Sequence, residues 1–171
     1  MEIVVIAFLA LVLLFGFVVF FGAPYLPTLR AQTKDALDLL DLKPGQTLLE
    51  LGSGDGTVLL AAAQRGIRCI GYELNPILVV ISRIVTWRYR RLVTIKMANY
   101  WSVQWPQTDG IYVFLLQKYM TKLDTKVTQY TRQRGAVRLV SFAFTIPNKK
   151  PVTSRGGLTL YVYDVKNKAK R

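Results

Sequence analysis

The hydrophobic pattern divides the chain into one long apolar run and a series of shorter segments. Residues 3–23 contain no charged side chain. A helix of this length matches a hydrocarbon core of about 30 Å. We therefore predict a transmembrane anchor over residues 1–23, followed over 24–45 by a proline-rich hinge and a helix that packs on the core. A basic tail over 166–171 ends the chain.

Between the hinge and the tail, short apolar strands alternate with helical segments, which predicts an α/β domain over residues 46–165 with a mainly parallel sheet. The last strand follows a short turn-rich loop that leaves no room for a crossover helix, so we expect it to be antiparallel. The predicted strands are 46–51, 68–73, 93–97, 110–116, 136–146 and 158–165, and the predicted helices are 57–65, 76–91 and 118–134.

Charge predicts the orientation of the anchor. All 23 lysine and arginine residues lie after position 29, whereas one of the ten acidic residues, Glu2, precedes the apolar run. The positive-inside rule places the globular part in the cytoplasm and the N-terminus outside. A cleaved signal peptide is the alternative, but the run lacks a positive n-region and continues into Pro24. The positive excess also suits nucleic acid, yet beside an anchor we favour the anionic lipid leaflet as its partner.

The composition excludes several kinds of site. The chain has one cysteine, Cys69, and no histidine. These counts exclude an internal disulfide, a cysteine-rich zinc site and any catalytic scheme based on imidazole. We expect no metal.

A glycine-rich turn between the first strand and its helix carries the candidate chemistry. The turn has the form E-x-G-x-G-x-G from Glu50 to Gly56, whereas a dinucleotide fingerprint requires a glycine where Thr57 stands. Glycines let the backbone approach a ligand closely, and the amides of the following helix can meet an anionic group. Glu73 ends the second strand, where a carboxylate can accept both hydroxyls of a ribose. The pattern resembles that of class I methyltransferases, which bind S-adenosylmethionine.

Further motifs carry a more specific resemblance, which extends from the anchor to Val165. Together with the glycine turn, they resemble the membrane-anchored lysine methyltransferases of mitochondria that modify the ATP synthase c-subunit and the adenine nucleotide translocase, and their bacterial relatives. The motifs are Pro24-Tyr25-Leu26-Pro27-Thr28, Gly71-Tyr72-Glu73-Leu74-Asn75-Pro76, Ser82-Arg83, Trp87-Arg88 and Tyr163-Asp164-Val165.

This resemblance implies a Rossmann-like class I methyltransferase sheet behind one N-terminal transmembrane helix, with S-adenosylmethionine as cofactor. It implies that Glu73 holds the ribose with Asn75 close to it, that Asn99 binds the adenine, and that Thr28 closes over the site. The methionine end of the cofactor would be lined by the glycine turn, with Glu50, Gly52, Ser53, Gly54, Asp55 and Gly56.

Three positions depart from the family pattern. Asn99 stands where relatives often carry aspartate, and its oxygen can still accept from an exocyclic amine. Gln117-Lys118 follows the fourth strand where relatives commonly carry proline, so the acceptor can differ. The N-terminus lacks the arginine-rich amphipathic character of a mitochondrial presequence, which favours a bacterial-type inner membrane over the mitochondrial inner membrane.

The first functional hypothesis is a methyltransferase that modifies lysine in a membrane or membrane-associated protein. The catalytic residues are not identified by the sequence, and Tyr100 and Gln117 are candidates for orienting the amine by hydrogen bonds. The second hypothesis is a methyltransferase acting on a membrane lipid or a quinone-type molecule. The third is a non-catalytic scaffold, which has no need of intact glycines and of the two acids Glu50 and Glu73.

Overall fold

A computed structural model describes residues 1–6, 8, 9 and 30–164 of the chain. Most of the apolar run 3–23, the candidate Thr28 and the basic tail 166–171 lie outside these residues. Within the described part of the chain, no helix is both long and apolar enough to cross a membrane.

Between residues 30 and 164 the chain forms four α-helices and seven strands, with 3-10 turns at Trp87–Tyr89 and Gln117–Tyr119. The helices are α1 (Arg30–Leu40), α2 (Thr57–Gln64), α3 (Pro76–Val85) and α4 (Met120–Arg134). The strands are β1 (Thr47–Leu51), β2 (Arg68–Glu73), β3 (Val93–Met97), β4 (Gly110–Val113), β5 (Val137–Phe142), β6 (Thr153–Arg155) and β7 (Leu158–Tyr163).

The strands form one sheet in the order β3-β2-β1-β4-β5-β7-β6. The first five are parallel, and β7 runs antiparallel to β5, which confirms the mainly parallel sheet and the reversed last strand. The chain moves outward from β1 to β3 on one side and then crosses to β4 on the other. Carboxyl ends of parallel strands flank a crevice at such a switch point, where α/β proteins bind their ligands.

Apolar side chains cover both faces of the sheet. Helices α1, α2 and α3 pack on one face, where Leu48 of β1 lies in the core. On the opposite face Leu49 packs in a second cluster with α4 and with the aromatic loop that contains Trp105. Neighbouring residues of β1 therefore point to opposite cores, and both cores fix the position of the loop that follows β1.

Several elements differ from the prediction, among them strand β4, which ends at Val113 and not at residue 116. Helix α3 ends at Val85, where the Thr86 hydroxyl donates to the Ser82 carbonyl at 2.7 Å, and a 3-10 turn follows at Trp87–Tyr89. Strand β5 ends at Phe142, since Ala143 adopts a positive φ of 66°. Strand β6 lies in a segment that the sequence pattern predicts as loop, because all its residues are exposed and show no apolar alternation. It covers the edge of β7.

Candidate functional site

The glycine loop between β1 and α2 is fixed to the end of β2 by its backbone. The amides of Gly52 and Ser53 both donate to the Tyr72 carbonyl, at 2.8 and 2.9 Å. Gly52 has a φ of 83°, and a Cβ added there would meet nothing within 4 Å. A Cβ at Gly56 would instead approach the Cβ of Ser82 in α3 at 3.1 Å. Gly52 therefore allows a left-handed backbone beside open space, whereas Gly56 allows α2 and α3 to pack closely.

Glu73 connects the two loops at the carboxyl ends of β1 and β2. Its Oε2 accepts from the Gly54 amide at 2.9 Å. Its Oε1 accepts from the amides of Leu74 and Asn75, both at 2.8 Å. A carboxylate offers about four lone-pair positions, so this half-buried side chain retains capacity for a further donor.

Two buried polar groups lie beneath the glycine loop. Glu50 is 5% exposed, and within the described part of the chain its Oε2 and the Ser53 hydroxyl have no hydrogen-bond partner. Burial raises the pKa of Glu50 well above its ordinary value of 4.5, and the charges of Asp55 and Glu73 raise it further. The carboxyl groups of Glu50, Asp55 and Glu73, all predicted from the sequence to bind the cofactor, therefore interact electrostatically beneath the glycine loop.

The side chains of Asp55 and Asn75 shape the starts of the two flanking helices. Asp55 accepts from the Thr57 amide at 3.0 Å and from the Thr57 hydroxyl at 2.9 Å. Asn75 caps α3 by accepting from the Ile77 amide at 2.9 Å, with Pro76 at the first helical position. Both side chains thus stabilise helix N-termini beside Glu73.

The loop after β3 forms the other side of the cleft. The Ala98 amide donates to the Glu73 carbonyl at 3.1 Å, which places the exposed Asn99 close to the end of β2. The Asn99 Oδ1 accepts from the Trp101 amide at 3.0 Å. Asn99 therefore holds the turn in which the Tyr100 and Trp101 rings lie, with centroids 4.8 Å apart.

The two candidate orienting residues lie in different surroundings. Burial raises the pKa of Tyr100, and nearby Tyr119 and Glu73 raise it further. Gln117 is exposed, and its Nε2 donates to the Thr145 carbonyl at 3.1 Å. Tyr100 therefore belongs to the half-buried aromatic rim close to Glu73, whereas the Gln117 amide is engaged by the loop after β5.

The sequence analysis missed three contacts of this region. Lys122 of α4 lies over the Trp101 ring at 4.6 Å from the centroid, and the Trp101 and Tyr119 rings lie 6.0 Å apart. Gly71 leaves room for Ser53, because a Cβ there would approach the Ser53 hydroxyl at 2.7 Å. Each contact joins residues from separate elements. Only the aromatic content of the segment after Asn99 indicated that Trp101 would make contacts of this kind.

The electrostatics of the cleft suit a cationic ligand. Glu50, Asp55 and Glu73 converge around the glycine loop, and no lysine or arginine contributes to the shift of the Glu50 pKa. Such a surround repels a pyrophosphate and attracts an ammonium or sulfonium group.

Comparisons with known proteins agree with this geometry. Residues 50–153 match the family model described as the ANTKMT methyltransferase domain. The chain is 32% identical over 146 residues to the ATP synthase c-subunit lysine N-methyltransferase of Xenopus laevis. It is 37% identical over 147 residues to the adenine nucleotide translocase lysine N-methyltransferase of Mus musculus. Each alignment covers 83% of this chain and 63% of the relative. The chain thus spans about three fifths of the length of these relatives.

A solved structure shows the same fold. The RNA methyltransferase from Salinibacter ruber, in complex with S-adenosyl-L-homocysteine, superimposes with a TM-score of 0.72 at 24% identity. The superposition covers 82% of this chain and 94% of that protein.

Proposed function

We propose that this chain, which belongs to the family of ANTKMT methyltransferase domains, transfers methyl groups from S-adenosylmethionine to lysine in a membrane or membrane-associated protein. The observation that carries the proposal is the convergence of Glu50, Asp55 and Glu73 on a glycine loop at the switch point of the sheet.

The residues present fit this cofactor. S-adenosylmethionine carries a sulfonium, an ammonium and one carboxylate, so the acidic surround matches its net positive charge. Gly52 borders open space that lets the chain pass close to a ligand. Glu73 retains an acceptor position for a ribose hydroxyl, and Glu50 offers a buried oxygen that has no hydrogen-bond partner among the described residues. In this arrangement Asn99 lies on the adenine side, across the end of β2 from the glycine loop.

Methyl transfer mainly requires the chain to position a neutral nucleophile. The cofactor supplies an electrophilic methyl group when bound. A lysine amine, with an ordinary pKa of about 10.4, must lose its proton first, and an apolar or cationic surround favours that loss. Because the pKa of Tyr100 is raised, its phenol keeps its proton and can orient the amine, while solvent takes the amine's proton. The Trp101 ring already contacts one ammonium group, that of Lys122, which is the type of contact an acceptor lysine would make.

The same proposal includes a membrane location. The relatives are named for the c-subunit of ATP synthase and for the adenine nucleotide translocase. The apolar run 3–23 would serve as a single-pass anchor with its N-terminus outside, and the domain would face the cytoplasmic, anionic leaflet of a bacterial-type inner membrane. An anchor confines an enzyme to the plane in which such a substrate moves.

The test is transfer of a labelled methyl group in membranes. Membranes that contain the full chain, and membranes that contain the Glu73→Ala variant, are incubated with methyl-labelled S-adenosylmethionine and then separated into protein and lipid. We expect label in a protein band with the wild type and not with the variant, and acid hydrolysis of that band should yield methylated lysine.

Each other outcome has a defined meaning. If the label is confined to lipid, the acceptor is a lipid and not a protein, and the methyltransferase function stands. If neither fraction is labelled, titration with S-adenosylhomocysteine decides, because a folded chain that does not bind it would contradict the methyltransferase function.

A further inference from the structure

Helix α3 exposes an apolar surface that the fold does not explain. Its inward positions include Val79 and Ser82, which are buried. Its outward positions are also aliphatic, and Ile84 is 69% exposed. A helix that is apolar all round is normally buried on all sides. We define the α3 face as Ile77, Val80, Ile81, Ile84, Val85 and Trp87, all of which are exposed.

Helix α4 shows that this exposure is not general. On α4 the buried side chains include Leu123 and Val127, and the outward positions include Thr125, Gln129 and Arg132. Both helices pack on the same sheet, on opposite faces. Of the two, α3 alone has an outward surface unsuited to water, and an exposed apolar patch of this kind marks an interaction site.

The surroundings of the α3 face are strongly basic. No acidic residue lies between Glu73 and Asp109, whereas this segment holds four arginines and one lysine, at positions 83, 88, 90, 91 and 96. None of the four arginines forms an ion pair within the described part of the chain. The Arg90 guanidinium lies over the Trp87 ring at 4.9 Å. Helices that lie in a membrane interface typically combine apolar residues, an exposed tryptophan and arginines without a carboxylate partner.

We propose that the α3 face docks on an anionic lipid bilayer. A two-fold dimer through this face would bring the arginines of both copies together, which is unfavourable. An apolar segment of the chain itself would cover the aliphatic residues but leave the arginines without a counter-charge. A bilayer with anionic headgroups satisfies both, because the aliphatic side chains enter the acyl boundary and the arginines meet phosphates.

Docking on this face has a consequence for the candidate cleft. Glu73 and Asn75 immediately precede α3, and Asn75 caps it. The bilayer surface would then lie beside the rim of the cleft, which suits an acceptor that projects from a membrane. The proposal concerns a surface and does not require methyl transfer.

The test measures the lipid accessibility of one labelled position in the full chain. Ile84→Cys is labelled with an environment-sensitive fluorophore, and the matched control is Thr125→Cys on the outward side of α4. The native thiol of Cys69 is buried and escapes labelling in the folded protein. Both variants are placed in vesicles of phosphatidylcholine with or without phosphatidylglycerol, and quenching by nitroxide lipids and by aqueous iodide is recorded without cofactor.

We expect position 84, but not position 125, to be quenched by nitroxide lipid and protected from iodide when phosphatidylglycerol is present. Equal iodide quenching at position 84 in both kinds of vesicle would overturn the proposal. Protection of position 84 from iodide without quenching by nitroxide lipid would also overturn it, and size-exclusion chromatography would assign the cover to a second copy or to the chain's own N-terminal segment.

Charge variants give a second measurement. Each basic residue near an anionic surface changes the docked-to-undocked ratio about fivefold, so Arg88→Gln with Arg91→Gln should lower this ratio about 25-fold. The matched control, Arg132→Gln with Arg134→Gln on α4, removes the same charge from the opposite side and should leave the ratio unchanged. If the docked-to-undocked ratio falls equally in the α3 variant and in the α4 control, docking through the α3 face is contradicted.

Discussion

The two sides of the cleft are built in different ways. At the ends of β1 and β2, backbone amides and carboxylates hold one another, as Glu73 does with the amides of Gly54 and Asn75. At the ends of β3 and β4, the groups are side chains on loops, and Asn99 and Gln117 bond to their own or neighbouring loops. The first side is a preorganised cradle, and the second is a rim.

We expect this difference to separate most of the cofactor binding from the selection of the acceptor. A cradle of backbone groups is determined by the fold, so its ligand can be inferred from its charge and shape. A rim of loop side chains can change without disturbing the sheet. Substitutions in the cradle should therefore weaken cofactor binding most, whereas substitutions in the rim should have smaller effects, on binding at Asn99 and on turnover at Tyr100 and Gln117.

The largest effect is expected from Glu73→Ala. It removes the acceptor of three backbone amides and the group proposed to hold the ribose. A hydrogen bond to a charged group contributes about 1.5–3 kcal/mol, so loss of the proposed bond to the ribose should lower affinity for S-adenosylhomocysteine by about 10- to 150-fold. Isothermal titration measures the affinity, and circular dichroism verifies that the variant is folded.

Asp109→Ala is the matched control for this prediction. Asp109 also accepts a backbone amide of β1, that of Thr47 at 2.7 Å, but at the opposite edge of the sheet. The control should lose stability and retain affinity. If the folded Glu73→Ala variant binds S-adenosylhomocysteine as tightly as Asp109→Ala does, then Glu73 does not hold the cofactor.

The second effect concerns the buried carboxyl of Glu50. Because burial and nearby charges raise its folded-state pKa above 4.5, the native protein keeps a proton that the unfolded chain releases. The stability from this proton is present below about pH 4.5 and is lost as the pH rises through the folded-state pKa. The neutral variant Glu50→Gln should therefore melt at a higher temperature than the wild type at about pH 8, and at the same temperature at about pH 4.

The same variant should bind the cofactor more weakly, by about tenfold, since its side chain cannot ionise beside a cationic ligand as the Glu50 carboxyl can. Thermal unfolding at both pH values and titration with S-adenosylmethionine measure the two effects. A Tm difference that is the same at both pH values would show that Glu50 does not titrate in this range.

The sequence predicted the cradle better than the rim, for a physical reason. The glycine loop and Glu73 lie at strand ends, so chain order and strand alternation were sufficient to bring them together. The antiparallel direction of β7 followed from the short loop that precedes it. The position of the membrane span and of Thr28 stays a prediction, because both lie outside the described residues.

The remaining features depend on contacts between distant elements. The packing of Gly56 against Ser82 joins a loop to the helix after the next strand, and no pattern along the chain indicates it. The pKa of Tyr100 is raised in part by Tyr119, which follows β4. Strand β6 carries only exposed side chains and so lacks the alternation by which strands are predicted.

A smaller effect is expected at Asn99. Asn99→Ala removes the acceptor of the Trp101 amide and one contact proposed for the adenine. One hydrogen bond contributes about 0.5–1.5 kcal/mol net, so affinity for S-adenosylhomocysteine should fall about two- to twelvefold. Asn99→Asp keeps the oxygen and should bind within about threefold of the wild type. If the aspartate variant loses as much affinity as the alanine variant, Asn99 does not act through its oxygen.

The smallest effects are expected in the rim, where Tyr100→Phe and Gln117→Ala form a matched pair. The pKa of Tyr100 is raised by burial, so its phenol stays protonated below its ordinary value of 10, and its oxygen can orient the amine by accepting a hydrogen bond from it. Tyr100→Phe should lower kcat about threefold without changing the shape of the pH–rate profile. Gln117→Ala should change kcat less than about twofold, because the amide is engaged by the Thr145 carbonyl.

Both substitutions are tested by steady-state rates from about pH 6 to about pH 10. The substrate in these assays is the acceptor protein that the labelling experiment identifies. Loss of the alkaline rise of kcat in Tyr100→Phe would make Tyr100 the group that takes the amine's proton, and the rim would then be catalytic. If kcat falls more in Gln117→Ala than in Tyr100→Phe, the Gln117 side chain leaves the Thr145 carbonyl when the acceptor binds. Either result would show that the rim contributes to the reaction as strongly as the cradle contributes to binding, and the proposed contrast between the two sides of the cleft would not hold.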